Sequence, residues 1–318
     1  MTKPTILLWA AEAGVYRQAI ERAGLGDRVE MAEIRPDQRP DAGLLARAEA
    51  LLGMRVPAGI LAEMPRLRWI QTLTAGVDEW LPRPDLRSDL TLTCARGTHR
   101  VQMPENILAA LFHLTKPIVV AALDQRESRW TRRVSEQLAG KTLGILGLGT
   151  IGQELARKAA ALEMTVIGTR RAAGALPHVE RVYPADGTDE VLARADFVLL
   201  LLPLTPVTRD IMDTARLARM KAGAYLLNFA RGGLIVDDAL VAAVRDRVIA
   251  GAVLDVFRQE PLPSTHPFWT TPGITVWPHV GGLHPRRDEL VAPVLVDNLA
   301  RFLDGRPLNA LVDRAAGY

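Results

Sequence analysis

Apolar positions along the chain fall into short β-branched or leucine-rich runs, alternating with longer stretches in which apolar side chains recur every three or four residues. That alternation predicts an α/β protein. Strands are expected at Thr5–Trp9, Ala48–Gly53, Leu67–Thr72 and Leu90–Cys94, with helical patterns such as Val15–Ala23 between some of them. This first part reads as a small parallel-sheet domain. From Pro104 the pattern becomes long and helical, with a proline in the first turn, where its missing N–H costs little, and Glu105 beside the positive end of the helix dipole. The helix is expected to bridge two domains, and Pro117 to kink or end it.

A second series of apolar runs follows at Thr142–Leu146, Met164–Gly168, Phe197–Leu202, Ala224–Phe229, Ala250–Asp255 and Ile274–Trp277. Runs so nearly continuous suit strands covered on both faces. Between them, Ile151–Leu162 places Ile151, Leu155, Ala159 and Leu162 on one helical stripe. A last helix is expected at about Arg286–Leu303, bent by Pro293 and stopped at Gly305, a residue suited to a left-handed cap.

At 318 residues, 48% hydrophobic and 24% charged, the chain exceeds one typical domain and has ample apolar material for two cores. Its net charge of +3 is too small to mark a nucleic-acid surface. The single cysteine, Cys94, excludes an intrachain disulfide, and no cysteine or histidine spacing suits a metal. The N-terminal apolar run stops at Glu12, short of a signal core and far short of the roughly 20 residues a membrane span needs. A cytoplasmic protein with neither membrane nor nucleic-acid partner is expected.

The segment Gly147-Leu148-Gly149-Thr150-Ile151-Gly152 follows a strand-like run and opens an amphipathic helix, the setting in which G-x-G-x-x-G binds a dinucleotide. Gly147 permits the tight turn, Gly149 lets backbone approach a pyrophosphate, and Gly152 allows close helix–strand packing. Free N–H groups at the helix start, at Thr150 and Ile151, would face the anion. The competing reading is a tight turn alone. A carboxylate usually ends the next strand and holds the ribose 2′-hydroxyl, but here stand Thr169-Arg170-Arg171. Guanidinium forks grip a 2′-phosphate, so NADP(H) is expected over NAD(H), the alternative being solvated surface arginines.

Three later segments put charged groups at strand ends: Asn228-Phe229-Ala230-Arg231-Gly232-Gly233, Leu254-Asp255-Val256-Phe257-Arg258-Gln259-Glu260-Pro261 and Trp277-Pro278-His279-Val280-Gly281-Gly282. In a doubly wound sheet such ends converge on the ligand crevice. With Ala75-Gly76-Val77-Asp78 and the terminal Val312-Asp313-Arg314, these motifs resemble the D-isomer-specific 2-hydroxyacid dehydrogenases, and more closely their glyoxylate/hydroxypyruvate reductase branch.

The resemblance implies two Rossmann/flavodoxin-like doubly wound parallel-sheet domains. A substrate domain, 1–98 and 284–318, would receive a cofactor domain, 99–283, as an insertion. It implies that Arg231 binds the 2-oxoacid carboxylate and polarises its carbonyl, that His279 donates the proton, and that Glu260 orients and charges the imidazole. Such groups suit the chemistry, because hydride reaching a carbonyl carbon creates an alkoxide that a fixed cation stabilises and an imidazolium quenches. By the same resemblance Gly76 and Val77 contact substrate, with Asp78 left open, while Ala230 and Asp255 contact the cofactor, Asp255 through the nicotinamide carboxamide. A homodimer joined through the cofactor domain is also implied.

Glyoxylate and hydroxypyruvate are the substrates expected first. A broader enzyme for bulkier 2-oxoacids and a non-catalytic nucleotide-sensing scaffold remain as alternatives. Trp9 and Trp130 are candidates to enclose substrate, Trp130 from a neighbouring copy, with ordinary packing the alternative for both. His113 reads as packing. His99, Arg100, Arg286 and Arg287 read as solvated charge, with a place beside the cleft as the alternative.

Overall fold

The computed structural model describes residues 3–172 and 174–318. The chain divides into two compact units: residues up to Thr98 together with His284–Tyr318, and His99–Leu283. Each unit is built on one parallel sheet.

The first sheet contains β1 (Thr5–Trp9), β2 (Glu30–Ile34), β3 (Ala48–Gly53), β4 (Trp69–Thr72) and β5 (Thr91–Thr93), in the order β2-β1-β3-β4-β5. Alternate side chains serve opposite faces, as a pleated strand requires. Leu7, Leu51 and Ile70 pack with Leu44 and Leu61, whereas Ile6, Leu8 and Leu52 pack with Tyr16, Ile20, Leu295 and Leu299. Tyr16 and Ile20 lie on the helix Ala13–Arg22, Leu295 and Leu299 on the C-terminal helix Arg287–Leu303.

The second sheet contains β6 (Thr142–Leu146), β7 (Thr165–Thr169), β8 (Arg181–Tyr183), β9 (Phe197–Leu200), β10 (Tyr225–Asn228), β11 (Gly251–Leu254) and β12 (Ile274–Val276). Its order, β12-β11-β10-β9-β6-β7-β8, is that of a doubly wound nucleotide-binding sheet with one further strand, and the winding reverses between β6 and β9. Both faces are covered. Leu146, Val198, Leu226 and Leu254 meet Leu217 and Leu240 on one side, and Ile145, Leu199, Leu227 and Val253 meet Ile107, Leu111 and Leu155 on the other.

Two strands were not anticipated, β2 and β8. Both lie at sheet edges, and their sequences, EMAEI and RVY, leave side chains partly exposed, so neither carries the apolar run that marks a doubly covered strand. The prolines behave differently from each other. Pro117 separates Gln102–Thr115 from Ile118–Arg126, which bend by 66°. Pro293, expected to bend its helix, sits on the exposed face of Arg287–Leu303, which continues through it. There the carbonyl of Glu289, an exposed residue, loses its N–H donor to the proline ring. At the end of that helix Gly305 (φ +66°) lets its N–H reach Phe302 O and the Arg306 N–H reach Arg301 O, the paired bonds of a Schellman stop. Among the described residues no single helix is long and apolar enough to cross a membrane.

Candidate active site

The glycine turn lies at the carboxyl end of β6, beside the point where the winding reverses. Gly147 has φ +111°, and a Cβ there would stand 2.8 Å from Leu201 O. At Gly152 a Cβ would stand 2.7 Å from Gly147 O, so the helix Thr150–Ala160 rests directly on the turn that precedes it. Gly149 differs: a Cβ there would meet nothing within 4 Å. No side chain caps this helix, so its first N–H groups, at Thr150 and Ile151, lack an intrahelical acceptor and open outward. Space before Gly149 and unclaimed donors behind it fit a pyrophosphate. At the end of neighbouring β7, Thr169 is buried and its carbonyl accepts from Leu148 N at 2.8 Å, while Arg170 and Arg171 are exposed.

Three loops leave the adjacent strands β10, β11 and β12. In the first, Asn228, fully buried, donates from Nδ2 to Arg231 O at 2.9 Å and accepts at Oδ1 from Ala230 N at 3.1 Å. Arg231 is extended and half-buried, with Nη1 donating to Ala230 O at 2.7 Å. The next residue, Gly232, abuts the second loop so closely that a Cβ would fall 1.9 Å from the Phe257 carbonyl carbon. In that second loop Glu260 Oε1 accepts from Phe257 N at 2.8 Å. Its other oxygen, Oε2, lies 2.6 Å from His279 Nδ1 in the third loop.

The structure therefore brings Glu260 and His279 into contact and sets the Arg231 loop against the Glu260 loop. With Glu260 ionised, Nδ1 is the donor to it, and Nε2 is the imidazole nitrogen left for another partner.

Asp255, only 1% exposed, accepts from Val280 N at 2.8 Å and from Gly281 N at 3.0 Å, so its carboxylate holds the chain just after His279. Burial pushes its carboxyl above the usual carboxylate range, against the pull of the Gly281 and Val280 N–H groups. The carbonyls of the same two residues accept from Asn106 Nδ2 at 3.3 and 2.9 Å. Neither Asn106 nor Asn228 was assigned from sequence. The available signal was slight: an amide closing an apolar strand, and one on the helix Gln102–Thr115.

In the first unit, Gly76 and Val77 follow β4, and their N–H groups donate to no acceptor among the described residues. Trp9 is 1% exposed in the core that also holds Val77, and its Nε1 has no partner among the described residues. Trp130 is 94% exposed, which overturns ordinary packing for it. His113 Nε2 lies 3.1 Å from Thr275 Oγ1 on β12, and burial pulls its imidazole below the usual range. Arg100 and Arg286 form exposed pairs with Glu154 and Glu289.

The family model of the D-isomer specific 2-hydroxyacid dehydrogenase NAD binding domain matches residues 108–281, all within the second unit. The chain belongs to the D-isomer specific 2-hydroxyacid dehydrogenases. An (S)-sulfolactate dehydrogenase of Chromohalobacter salexigens is 34% identical over 79% of this chain and 82% of its own. A glyoxylate/hydroxypyruvate reductase B of Citrobacter koseri is 31% identical over 96% of each chain. Among solved structures, the NADPH-dependent glyoxylate/hydroxypyruvate reductase of Sinorhizobium meliloti, in complex with NADP and sulfate, superposes with a TM-score of 0.83 at 30% identity over 100% of both chains. As a 2-hydroxyacid dehydrogenase this chain is an NAD(P)-dependent oxidoreductase of the glyoxylate/hydroxypyruvate reductase branch, in a family that acts on 2-oxoacids. That placement decides for the enzyme over the binding-only scaffold.

Proposed function

We propose that this dehydrogenase reduces small 2-oxoacids, glyoxylate and hydroxypyruvate first, with NADPH as the preferred cofactor. The observation that carries the reading is the 2.6 Å contact between His279 Nδ1 and Glu260 Oε2, with Glu260 fixed from its other side by the Phe257 N–H. Arg231 holds the substrate carboxylate and polarises the keto group, and Gly76 and Val77 give that carboxylate their free N–H groups. His279 passes a proton from Nε2 to the developing alkoxide, while Glu260 holds the imidazole in one orientation. The nicotinamide, when bound, supplies the hydride.

On the dinucleotide side, Gly147, Gly149, Thr150, Ile151 and Gly152 receive the pyrophosphate. Thr169, Arg170 and Arg171 receive the 2′-phosphate, and Ala230 and Asp255 border the nicotinamide, Asp255 keeping its bonds to Val280 and Gly281 while it does so. Exposed guanidiniums at 170 and 171, with no carboxylate at the strand end, support NADPH. So do the relatives, among them the NADPH-dependent Sinorhizobium enzyme. We assign the substrate role to the first unit and the cofactor role to the second, and place the protein in the cytoplasm as a homodimer joined through the cofactor unit. Supporting the dimer are the exposed apolar side chains of Ile118, Val119, Leu123, Trp130 and Val134.

NADPH oxidation against a panel of 2-oxoacids tests the reading. The expected result is highest kcat/KM on glyoxylate and hydroxypyruvate. A clear preference for bulkier 2-oxoacids, or for NADH as cofactor, would overturn the corresponding half of it.

A further inference from the structure

We propose that Asn228 and Asn106 are positioning residues, each setting the place of one reacting side chain: Asn228 that of Arg231, and Asn106 that of His279. The proposal rests on the roles given above to Arg231 and His279.

Asn228 closes β10 with its amide fully buried. One planar group spans the Ala230–Arg231 segment, its oxygen accepting from Ala230 N and its nitrogen donating to Arg231 O. That site demands one acceptor and one donor at fixed separation. An aspartate would turn an oxygen toward the Arg231 carbonyl, and an aliphatic side chain would leave the buried Ala230 N–H unpaired and the Arg231 carbonyl with Leu234 N alone. The guanidinium is tied to the peptide between those two bonds, through Nη1 on Ala230 O, so the amide sets both the backbone of Arg231 and the origin of its side chain.

Asn106 acts on the other loop. His279 has φ +54°, left-handed backbone that is uncommon for a residue with a side chain and persists where its surroundings fix it. Here they do. The two residues that follow, Val280 and Gly281, give their N–H groups to Asp255 and their carbonyls to Asn106, so two side chains hold all four polar groups. Asp255 is acceptor only and Asn106 faces the carbonyls with donors only, so neither can replace the other. Gly281 is pressed into this clamp, since a Cβ there would lie 2.6 Å from Asp255 Oδ2 and 3.0 Å from Met103 Sδ.

The two amides hold different loops, so their removal should leave different kinetic marks. Asn228→Asp, with Asn228→Ser as a second variant should the first not fold, is expected to raise the 2-oxoacid KM and the Kd of oxalate in the NADPH complex about tenfold, more than it changes the Kd of NADPH. Asn106→Ala, with Asn106→Leu in reserve, is expected to lower kcat about tenfold while KM stays near the wild-type value. A purely structural role would lower Tm and leave the constants of the folded fraction within about twofold of wild type, or give both variants the same pattern. Either result overturns the proposal. Failure of the wild-type enzyme to reduce any 2-oxoacid would instead overturn the proposed reaction, and the oxalate titration would still read the Arg231 arm.

Discussion

Two turns in this molecule occupy equivalent places and differ in almost every side chain. Each joins an interior strand of a parallel sheet to the following helix beside the point where the winding reverses: the turn after β1 in the first unit and the turn after β6 in the second. Neither helix is capped by a side chain, but after β6 come three glycines and open space before Gly149. After β1 come Ala10, Ala11 and Glu12, with the Glu12 carboxylate at the position that precedes the helix. An acid there complements the helix dipole and repels a phosphate. Winding thus supplies a crevice in both sheets, and the turn residues decide whether an anion can enter it.

Substitutions at these turns sharpen that contrast. Gly152→Ala drives a Cβ against the Gly147 carbonyl, and should weaken dinucleotide binding by about 100-fold and cost about 1–3 kcal/mol of stability. Fluorescence titration and thermal melting read the two effects. Glu12→Gly, the mirror experiment, should create no dinucleotide site in the first unit, because one glycine does not rebuild the turn. If it added a second binding stoichiometry, the contrast would fail.

Arg170 and Arg171, the proposed 2′-phosphate contacts, are next in size. Replacing both by neutral residues should reduce the NADPH-over-NADH ratio of kcat/KM by about 10–100-fold, the worth of one or two charge-assisted hydrogen bonds. An unchanged ratio would show that the 2′-phosphate is held elsewhere.

The smallest expected effect concerns the sheets themselves. In the second unit Asp196 lies below the usual carboxylate range: burial raises it, but the Thr142 N–H and Lys221 outweigh burial. Asp85 in the first unit is lowered likewise, with burial outweighed by Arg83 and the Leu61 N–H. A depressed folded value stabilises above the unfolded value of about 3.9 and is lost as pH falls through the folded one. Asp196→Asn and Asp85→Asn should each cost about 1 kcal/mol near neutral pH, and the deficit should vanish in acid, as followed by denaturant melts. A deficit independent of pH would contradict this account.

What the sequence shows follows from how much of each element is buried. The central strands are apolar on both faces and can be read directly, whereas β2 and β8 lie at edges and carry polar side chains that conceal them. Glu260 and His279 are readable as motifs because charged groups stand at strand ends, yet their 2.6 Å contact spans 19 residues of chain and becomes visible only in the fold. Asn106 gives no pattern at all, because its meaning is two carbonyls supplied from about 175 residues away. Trp130, for which ordinary packing was one reading, is open to solvent in its own chain, which composition cannot reveal.

The central claim is that a carboxylate-backed imidazole gives up the proton while Arg231 holds the keto acid. Single-turnover oxidation of NADPH by glyoxylate, followed across pH in wild type and His279→Gln, tests it most directly. The account predicts a wild-type rate that falls as the pH rises. The variant should be slower by about 10²–10⁴-fold and lack that fall, with unchanged affinity for NADPH. A His279→Gln enzyme within about tenfold of wild type, or one keeping the same pH dependence, would contradict it.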